Sequence, residues 1–315
     1  MPPDGAGGSA GESGHLAFSR VDLALLALVA LVWGSAYVFI KQGIVYGASP
    51  LVFAAARYGL SAVAFVAIAA ALRIGLPTRR AASVSALLGG VFIIGGYGGL
   101  LYWGEQYTTG GYAAVLASTA PILTVAFAYG LLPAERLGRR GLAGMALALL
   151  GAVVLVAPQL FGSAVGTWPG PLFVGGAYVS AALGTVLLRR YGGGPQGLWQ
   201  IGAQFGAAAA LLFAVAAIAP VPELLPRTTG VVLALVALVA LSSVVGYFGY
   251  FRLHHRVGPV RANLVAYLAP IVGLLVGSGL FGEAFTLDEL IGFVIVIAGV
   301  TLVLLERARP GPSAG

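Results

Sequence analysis

The sequence predicts an all-α polytopic membrane protein with ten transmembrane helices, arranged as two inverted five-helix repeats. Three observations support this fold class. The chain is 59% hydrophobic and only 9% charged, whereas a soluble domain carries about 25% charged residues to cover its surface. Ten apolar runs are long enough to cross the ~30 Å of bilayer hydrocarbon. The positive residues fall almost entirely on one side of those runs.

The apolar runs are continuous rather than alternating in hydrophobicity, which favours helices over the strands of a membrane barrel. The links between the runs are short, so we expect no inserted soluble domain. The predicted spans are residues 22–42, 50–72, 82–104, 110–132, 140–158, 168–189, 196–219, 229–252, 259–281 and 287–305.

The distribution of Lys and Arg predicts the orientation, because cytoplasmic loops carry the excess of positive charge. Of the 17 such residues, all but three lie at one set of span ends. Lys41 and Arg227 lie at the opposite ends, and Arg57 lies within a span. Both termini are therefore predicted to be cytoplasmic, in an integral plasma (inner) membrane protein. Residues 1–20 are predicted to be a disordered cytoplasmic tail, and residues 307–315 a second cytoplasmic tail.

Composition also argues against several classes of function. The net charge of +7 is spread over short loops without interleaved aromatic residues, so we expect no nucleic-acid partner. There are no cysteines for thiolate metal sites. The only lysine, Lys41, lies outside any Walker A sequence; no histidine lies within a span, and no Asp or Glu lies mid-membrane. We therefore expect neither an enzyme nor a bound cofactor or metal.

An internal repeat relates the two halves of the chain at an offset of 147 to 149 residues. "AAVLASTAP" from Ala113 aligns with "ANLVAYLAP" from Ala262, and "LVFAAARYG" from Leu51 aligns with "LWQIGAQFG" from Leu198. Each copy then has a glutamate followed at equal spacing by two glycines: Glu135, Gly144 and Gly151 in the first, Glu283, Gly292 and Gly299 in the second. Five spans is an odd number, so the second copy is inverted, as in many secondary transporters. The predicted repeats are residues 21–158 and 166–306.

The same segments resemble the EamA-type family of the drug/metabolite transporter superfamily. The resemblance rests on "LVWGSAYVFIKQGI", "ARYGLSA" and the two stretches "YTTGGYAAVLASTAP…AERLGRRGLAGMALALLGAVVLV" and "VGPVRANLVAYLAP…GEAFTLDELIGFVIVIAGVTLVL". It implies a ten-helix inner-membrane carrier, of a kind that often exports amino acids or other small metabolites. It also implies a cavity lined by spans one to four and six to nine. The sixth span departs from the pattern, with Ala182-Leu183 where the first has Trp-Gly.

Polar and aromatic residues within the spans are the candidates for a substrate cavity or gate. Helical spacing places Asn263, Tyr267 and Pro270 on one face. For the aromatic residues, cavity lining and ordinary helix packing are both open; Tyr102, Trp103, Trp168 and Trp199 lie near span ends and are predicted to be interface anchors. The full set of cavity or gate candidates is Trp33, Ser35, Tyr37, Arg57, Tyr97, Tyr178, Gln204, Tyr247, Asn263 and Tyr267. Pro121 and Pro270 recur at repeat-matched positions and are predicted to bend their helices.

Arg57 is the one charge well inside a span, where it costs at least about 2.5–3.5 kcal/mol. Snorkelling to the headgroups is one explanation, since Arg57 lies ~12 Å from the outer end of the span. However, Arg57 aligns with Gln204 in the second repeat, which favours a shared face toward the cavity. We expect Arg57 to bind a substrate carboxylate or to hydrogen-bond the carbonyls of an outer gate.

These features predict a secondary transporter that exports small organic metabolites such as amino acids by alternating access. The alternative is a channel or facilitator for small solutes, because inverted repeats also build pores. The expected partners are a small-molecule substrate and the lipid bilayer, with a homodimer as a further candidate assembly.

Overall fold

The computed structural model describes residues 19–131, 139–160, 169–191, 197–218, 225–257, 265–282 and 287–305. Within these ranges all the elements are helical. Asn263 and most of both predicted tails lie outside the described residues. For Pro121 and Tyr267 the helical backbone is described but the side chain is not.

Continuous helices carry one label each. The simple ones are α1 (Arg20–Val45), α2 (Pro50–Ala71), α5 (Arg139–Leu160), α6 (Pro169–Tyr191), α7 (Leu198–Ala217), α9 (Val265–Phe281) and α10 (Leu287–Leu305). Three others change helix type along their length. They are α3 (Arg79–Ser85, π-helical Ala86–Gly96, Tyr97–Gly104), α4 (Gly110–Leu116, 3₁₀ Ala117–Thr119, Ala120–Leu131) and α8 (Thr229–Ala237, π-helical Leu238–Val245, Gly246–Val257).

Six of the predicted spans are confirmed as helices long and apolar enough to cross a membrane. They are Arg20–Val45, Pro50–Ala71, Ala82–Gly104, Pro169–Tyr191, Leu198–Ala217 and Thr229–Leu253. Shorter apolar helices occupy Ile122–Leu131, Leu268–Gly279 and Leu290–Gly299. The described part of the chain is thus a polytopic helical membrane protein, while the count of ten spans and the inverted repeat stay predictions.

The start of α1 is fixed by a capping box. The Ser19 hydroxyl accepts a hydrogen bond from the Asp22 main-chain N–H at 3.2 Å, and the Asp22 carboxylate accepts one from the Ser19 N–H at 3.0 Å. The same carboxylate pairs with Arg256 near the end of α8 at 2.5 Å. Cap and ion pair together hold α1 and α8 side by side at one face of the bundle.

Small residues let the helices approach closely, as is common in membrane bundles. The α5 and α10 helices pack against each other through the glycines that the sequence repeat pairs. A Cβ added at Gly151 would lie 2.6 Å from the Val296 main-chain nitrogen, and one added at Gly299 would lie 2.6 Å from the Gly144 carbonyl oxygen. Both distances are shorter than the 3.0 Å below which real Cβ contacts essentially never fall. These two sites therefore require glycine.

The α2 and α7 helices also form an extensive contact. Phe65 of α2 stacks on Phe205 of α7 with ring centroids 5.6 Å apart and an interplanar angle of 7°. Both rings are essentially buried. The contact joins the two halves of the chain beside the centre of the bundle.

The π-helical segments of α3 and α8 lie at positions that the sequence repeat pairs. In each, one carbonyl accepts a hydrogen bond from a side chain of the opposite half. The Trp33 indole N–H donates to the Ser242 carbonyl at 3.1 Å, and the Ser180 hydroxyl donates to the Phe92 carbonyl at 2.9 Å. Because π-helical turns leave the regular i→i−4 ladder and often occur at functional sites, these segments direct attention to the space between them.

The two prolines that are predicted to bend their helices lie in α4 and α9. Pro121 lies two residues after the 3₁₀ turn Ala117–Thr119 of α4, and Pro270 lies inside α9. A proline lacks an N–H and cannot bond to the carbonyl four residues earlier, at Ala117 and Ala266 respectively. Both of these residues line the cavity described next.

Candidate functional site

A central cavity of about 330 Å³ lies among α1 to α4 and α6 to α9. Among the described residues, none that lines it belongs to α5 or α10. This is the arrangement that the resemblance implied. The volume is within the range of pockets that enclose a small ligand, about 300–1,000 Å³.

A second, larger cavity of about 590 Å³ lies behind α3, against α6 and α7. Its lining is aliphatic, aromatic or glycine, and the Trp103 indole is its one side chain with a polar atom among the described residues. Such a lining offers almost nothing to orient a polar solute. The central cavity is therefore the better candidate site.

Arg57 lies inside the bundle, with 9% of its surface exposed. Its guanidinium donates to the Tyr102 hydroxyl of α3 at 3.0 Å and to the Ser242 hydroxyl of α8 at 2.8 Å. Its Nε atom has no hydrogen-bond partner among the described residues. The guanidinium thus lies between helices and lines the cavity.

The partners of Arg57 do not balance its charge. Tyr102 and Ser242 are neutral hydroxyls, and the Tyr58 ring lies 5.4 Å from the guanidinium carbon. No carboxylate in the described part of the chain pairs with Arg57. A buried cation with neutral partners retains a strong attraction for an anion in the same cavity.

Three tyrosine hydroxyls meet at another part of the cavity wall. Tyr178 of α6 lies 3.1 Å, hydroxyl to hydroxyl, from Tyr37 of α1, and Tyr37 lies 3.3 Å from Tyr97 of α3. The Tyr178 hydroxyl also donates to the Ala113 carbonyl of α4 at 3.0 Å. We refer to Tyr37, Tyr97 and Tyr178 as the tyrosine cluster.

Aromatic rings form much of the remaining wall. Tyr247 of α8 lies edge-on to Trp33 and to Phe205, with ring centroids 5.8 and 5.4 Å apart. The Trp33 ring also packs on Tyr250 at 5.1 Å. These rings offer an apolar surface to the part of a solute that is neither charged nor hydrogen-bonded.

The structure brings six of the predicted residues to the cavity wall. They are Trp33, Tyr37, Arg57, Tyr97, Tyr178 and Tyr247. Two others do not line it. The Ser35 hydroxyl donates to the Val32 carbonyl of its own helix at 3.2 Å. The Gln204 amide is buried against Gly89 of α3 and donates to the Ser85 hydroxyl at 2.7 Å.

Gln204 differs from Arg57 although the sequence repeat aligns them. The Gln204 side chain lies at the contact between α7 and α3, whereas the Arg57 side chain lines the cavity. Of the two candidates predicted for the ninth span, Asn263 lies outside the described residues and the Tyr267 side chain is not described. Ala266 and Ala269, on either side of Tyr267, line the cavity.

Ser242 was not predicted from the sequence, and the role of Tyr102 was predicted wrongly. Tyr102 was predicted to be an interface anchor, which is wrong, because its ring is fully buried and its hydroxyl accepts from Arg57. Proximity to a span end suggested an anchor, but α3 packs beside α2 at this level. The lone arginine within a span, Arg57, was the signal that could have pointed to both residues. A buried guanidinium requires hydroxyl or carbonyl partners on neighbouring helices, and Ser242 and Tyr102 carry such hydroxyls.

The fold and the cavity define a polytopic helical membrane protein with a central cavity among eight of its helices. The chain belongs to the EamA-like transporter family, which matches residues 22–157 and 168–305. It is therefore an integral membrane protein of a transporter family.

Named relatives are similar over most of the chain. It is 28% identical over 292 residues to "Uncharacterized inner membrane transporter YedA" of Escherichia coli K12, covering 90% of each chain. It is 29% identical over 303 residues to "Probable amino-acid metabolite efflux pump" of Salmonella typhimurium, covering 90% of this chain and 94% of the relative.

A shorter match is 33% identical over 131 residues to "Probable terminal-alkyne amino-acid exporter" of Streptantibioticus cattleyicolor, covering 41% of this chain and 43% of that protein. One solved crystal structure superposes with a TM-score of 0.62 at 22% identity, over 91% of this chain and 98% of its own. That likeness shows the shared fold alone.

Proposed function

We propose that the protein is a secondary transporter that exports small organic metabolites bearing a carboxylate, such as amino acids, by alternating access. The observation that carries the proposal is the buried guanidinium of Arg57, which faces the central cavity and has no acidic hydrogen-bond partner among the described residues. The names of the relatives, an amino-acid exporter and a metabolite efflux pump, support the same class of substrate.

A carboxylate is the natural partner for this guanidinium. Arginine presents a planar fork of N–H donors that matches the two oxygens of a carboxylate. Two of its nitrogens already bond to neutral hydroxyls, and the third, Nε, has no partner among the described residues. A solute carboxylate in the cavity would supply the missing negative charge.

Alternating access rests on the correspondence between the halves. The contacts of α1 with α8 and α9 correspond, under the sequence offset, to those of α6 with α3 and α4. The π-helical segments and the side-chain bonds to their carbonyls correspond in the same way. Two similar halves that exchange conformations would move the cavity between inward and outward access.

A channel remains the second candidate, and flux in proteoliposomes separates the two. We expect purified protein to take up labelled amino acid in a saturable way, and faster when unlabelled solute is preloaded inside. The binding site of a carrier returns to the outer side faster when it carries solute than when it is empty, so preloaded solute stimulates uptake. A channel shows no such stimulation. Uptake that stays linear with concentration and ignores the preloaded solute would favour the channel.

We also propose that both termini are cytoplasmic, as the positive charges indicate. Reporter tags at both ends and at Arg79–Arg80 are expected to report the cytoplasm, and tags near Gly47 and Val165 the outside. The measurement is paired alkaline phosphatase and fluorescent-protein fusions. A C-terminal fusion active outside the cytoplasm would contradict the ten-span topology.

A further inference from the structure

Ser242 is held in place at the wall of the central cavity by two residues from other helices. It lies in the π-helical segment of α8 and lines the cavity. The Trp33 indole of α1 donates to the Ser242 main-chain carbonyl at 3.1 Å, and the Arg57 guanidinium of α2 donates to the Ser242 hydroxyl oxygen at 2.8 Å. The hydroxyl therefore has a fixed position beside the guanidinium.

The bond between Arg57 and Ser242 leaves the proton of the serine hydroxyl unused. A guanidinium carries only donors, so the Ser242 oxygen must accept. No other hydrogen bond joins this hydroxyl to a residue that the structure describes. A hydroxyl that accepts from a cation is also polarised, which strengthens the bond that its own proton can make. Ser242 therefore offers a donor to an acceptor group that enters the cavity.

The helix does not require a hydroxyl at this position. At offsets of 147 to 149 residues, Ser242 corresponds to residues 93–95 of α3, which are Ile, Ile and Gly. That part of α3 is π-helical as well. The neighbouring Ser243 is fully buried, and it is not among the residues that line the cavity. What sets Ser242 apart is its contact with both the guanidinium and the cavity.

We propose that Ser242 donates a hydrogen bond to the carboxylate of the transported solute, beside Arg57, and is a further residue that determines affinity. The inference rests on the proposed function and deepens it. Arg57 supplies positive charge and N–H donors, and Ser242 adds an O–H donor that acts on any carbonyl oxygen. The guanidinium repels an ammonium, so a zwitterion binds with its carboxylate end toward these two residues.

Removal of the hydroxyl tests the contact. Ser242→Ala is expected to lower the apparent affinity for leucine by about 10- to 100-fold, as for one hydrogen bond to a charged group. Ser242→Thr keeps a hydroxyl and should retain most of the affinity. Ser243→Ala is the matched control and should behave like the wild type. The affinities are measured by inhibition of labelled leucine counterflow in proteoliposomes that contain equal amounts of protein.

Leucine methyl ester separates direct donation from an effect through Arg57. The ester has no carboxylate charge for the guanidinium, but its carbonyl oxygen can still accept from a hydroxyl. Direct donation by Ser242 predicts that Ser242→Ala weakens inhibition by the ester by about 2- to 10-fold, as for a hydrogen bond between neutral groups. If Ser242 only holds the guanidinium in place, inhibition by the ester should not change, and that result would overturn the inference.

The absence of native cysteines allows a second measurement of the same contact. Ser242→Cys and Ser243→Cys each introduce a single thiol into the full-length protein, which is treated in lipid nanodiscs with a small methanethiosulfonate reagent and followed by mass spectrometry. We expect the thiol at position 242 to react, and leucine to slow that reaction at concentrations that inhibit counterflow by the same variant. The thiol at position 243 should not react, because this position is fully buried.

The outcomes separate this inference from the role of Arg57. Wild-type affinity of Ser242→Ala for leucine, or a thiol at position 242 that leucine does not protect, would overturn the inference. If Arg57→Gln still weakens leucine binding, the role of Arg57 stands. If Ser242→Ala is not recovered from the membrane, protection of the thiol by leucine decides. If leucine drives no counterflow in the wild type, both proposals are contradicted.

Discussion

Replacing Arg57 by glutamine is expected to reduce the apparent affinity for a carboxylate solute by at least about 30-fold, or about 2 kcal/mol. Glutamine keeps a polar side chain toward Tyr102 and Ser242 but loses the charge. Arg57→Leu should lower the apparent affinity further, because it also leaves the two buried hydroxyls without their donor. Lysine keeps the charge without the planar fork, so it should lie between wild type and glutamine. The apparent affinities of the three variants are measured by counterflow in proteoliposomes that contain equal amounts of protein.

The matched control is Arg79→Gln, which removes a positive charge from an exposed position at the start of α3. It should transport like the wild type. Membrane abundance is measured alongside, because removal of a buried arginine also alters packing. A normally abundant Arg57→Leu protein with full transport would eliminate Arg57 as a ligand or gate residue.

The second large effect is structural and concerns the contact between α5 and α10. Leucine at Gly151 or at Gly299 would place side-chain atoms where the facing main chain already lies. Overpacking costs about 1–3 kcal/mol or more, and here the facing atoms are backbone, which cannot rotate away. We expect both variants to be lost from the membrane or to melt well below the wild type in detergent.

Gly175→Leu provides the control within another helix. A Cβ at Gly175 of α6 would meet nothing within 4 Å, so this variant should fold and melt like the wild type. If Gly151→Leu and Gly175→Leu proteins prove equally stable, the close packing of α5 on α10 is not what holds those helices together.

Much of the fold is predictable from hydrophobicity alone. The first span was predicted at residues 22–42, and α1 extends over Arg20–Val45 because Ser19 and Asp22 provide a capping box just before the apolar run. The predicted repeat-matched glycines lie against each other in α5 and α10. The changes of helix type in α3 and α8 could not be predicted, because π-helical turns leave no distinct hydrophobic period. In each of these segments a side chain of another helix, Trp33 or Ser180, donates to one carbonyl.

The site was predictable only in part. Arg57 could be placed toward the cavity, because a charge inside lipid requires a polar environment. Gln204 shares its repeat position but is satisfied by Ser85, since an uncharged amide can be buried at a helix contact at little cost. Tyr102 and Ser242 could not be assigned, because their significance depends on which helices lie beside α2.

Competition by an analogue without a carboxylate charge is the sharpest test of whether Arg57 binds the carboxylate of the solute. The measurement is inhibition of labelled leucine counterflow by leucine and by leucine methyl ester, in wild-type and Arg57→Gln proteoliposomes. The ester is expected to inhibit the wild type at least about 30-fold more weakly than leucine, and Arg57→Gln is expected to be inhibited equally by both. Equal inhibition of the wild type by acid and ester would contradict it.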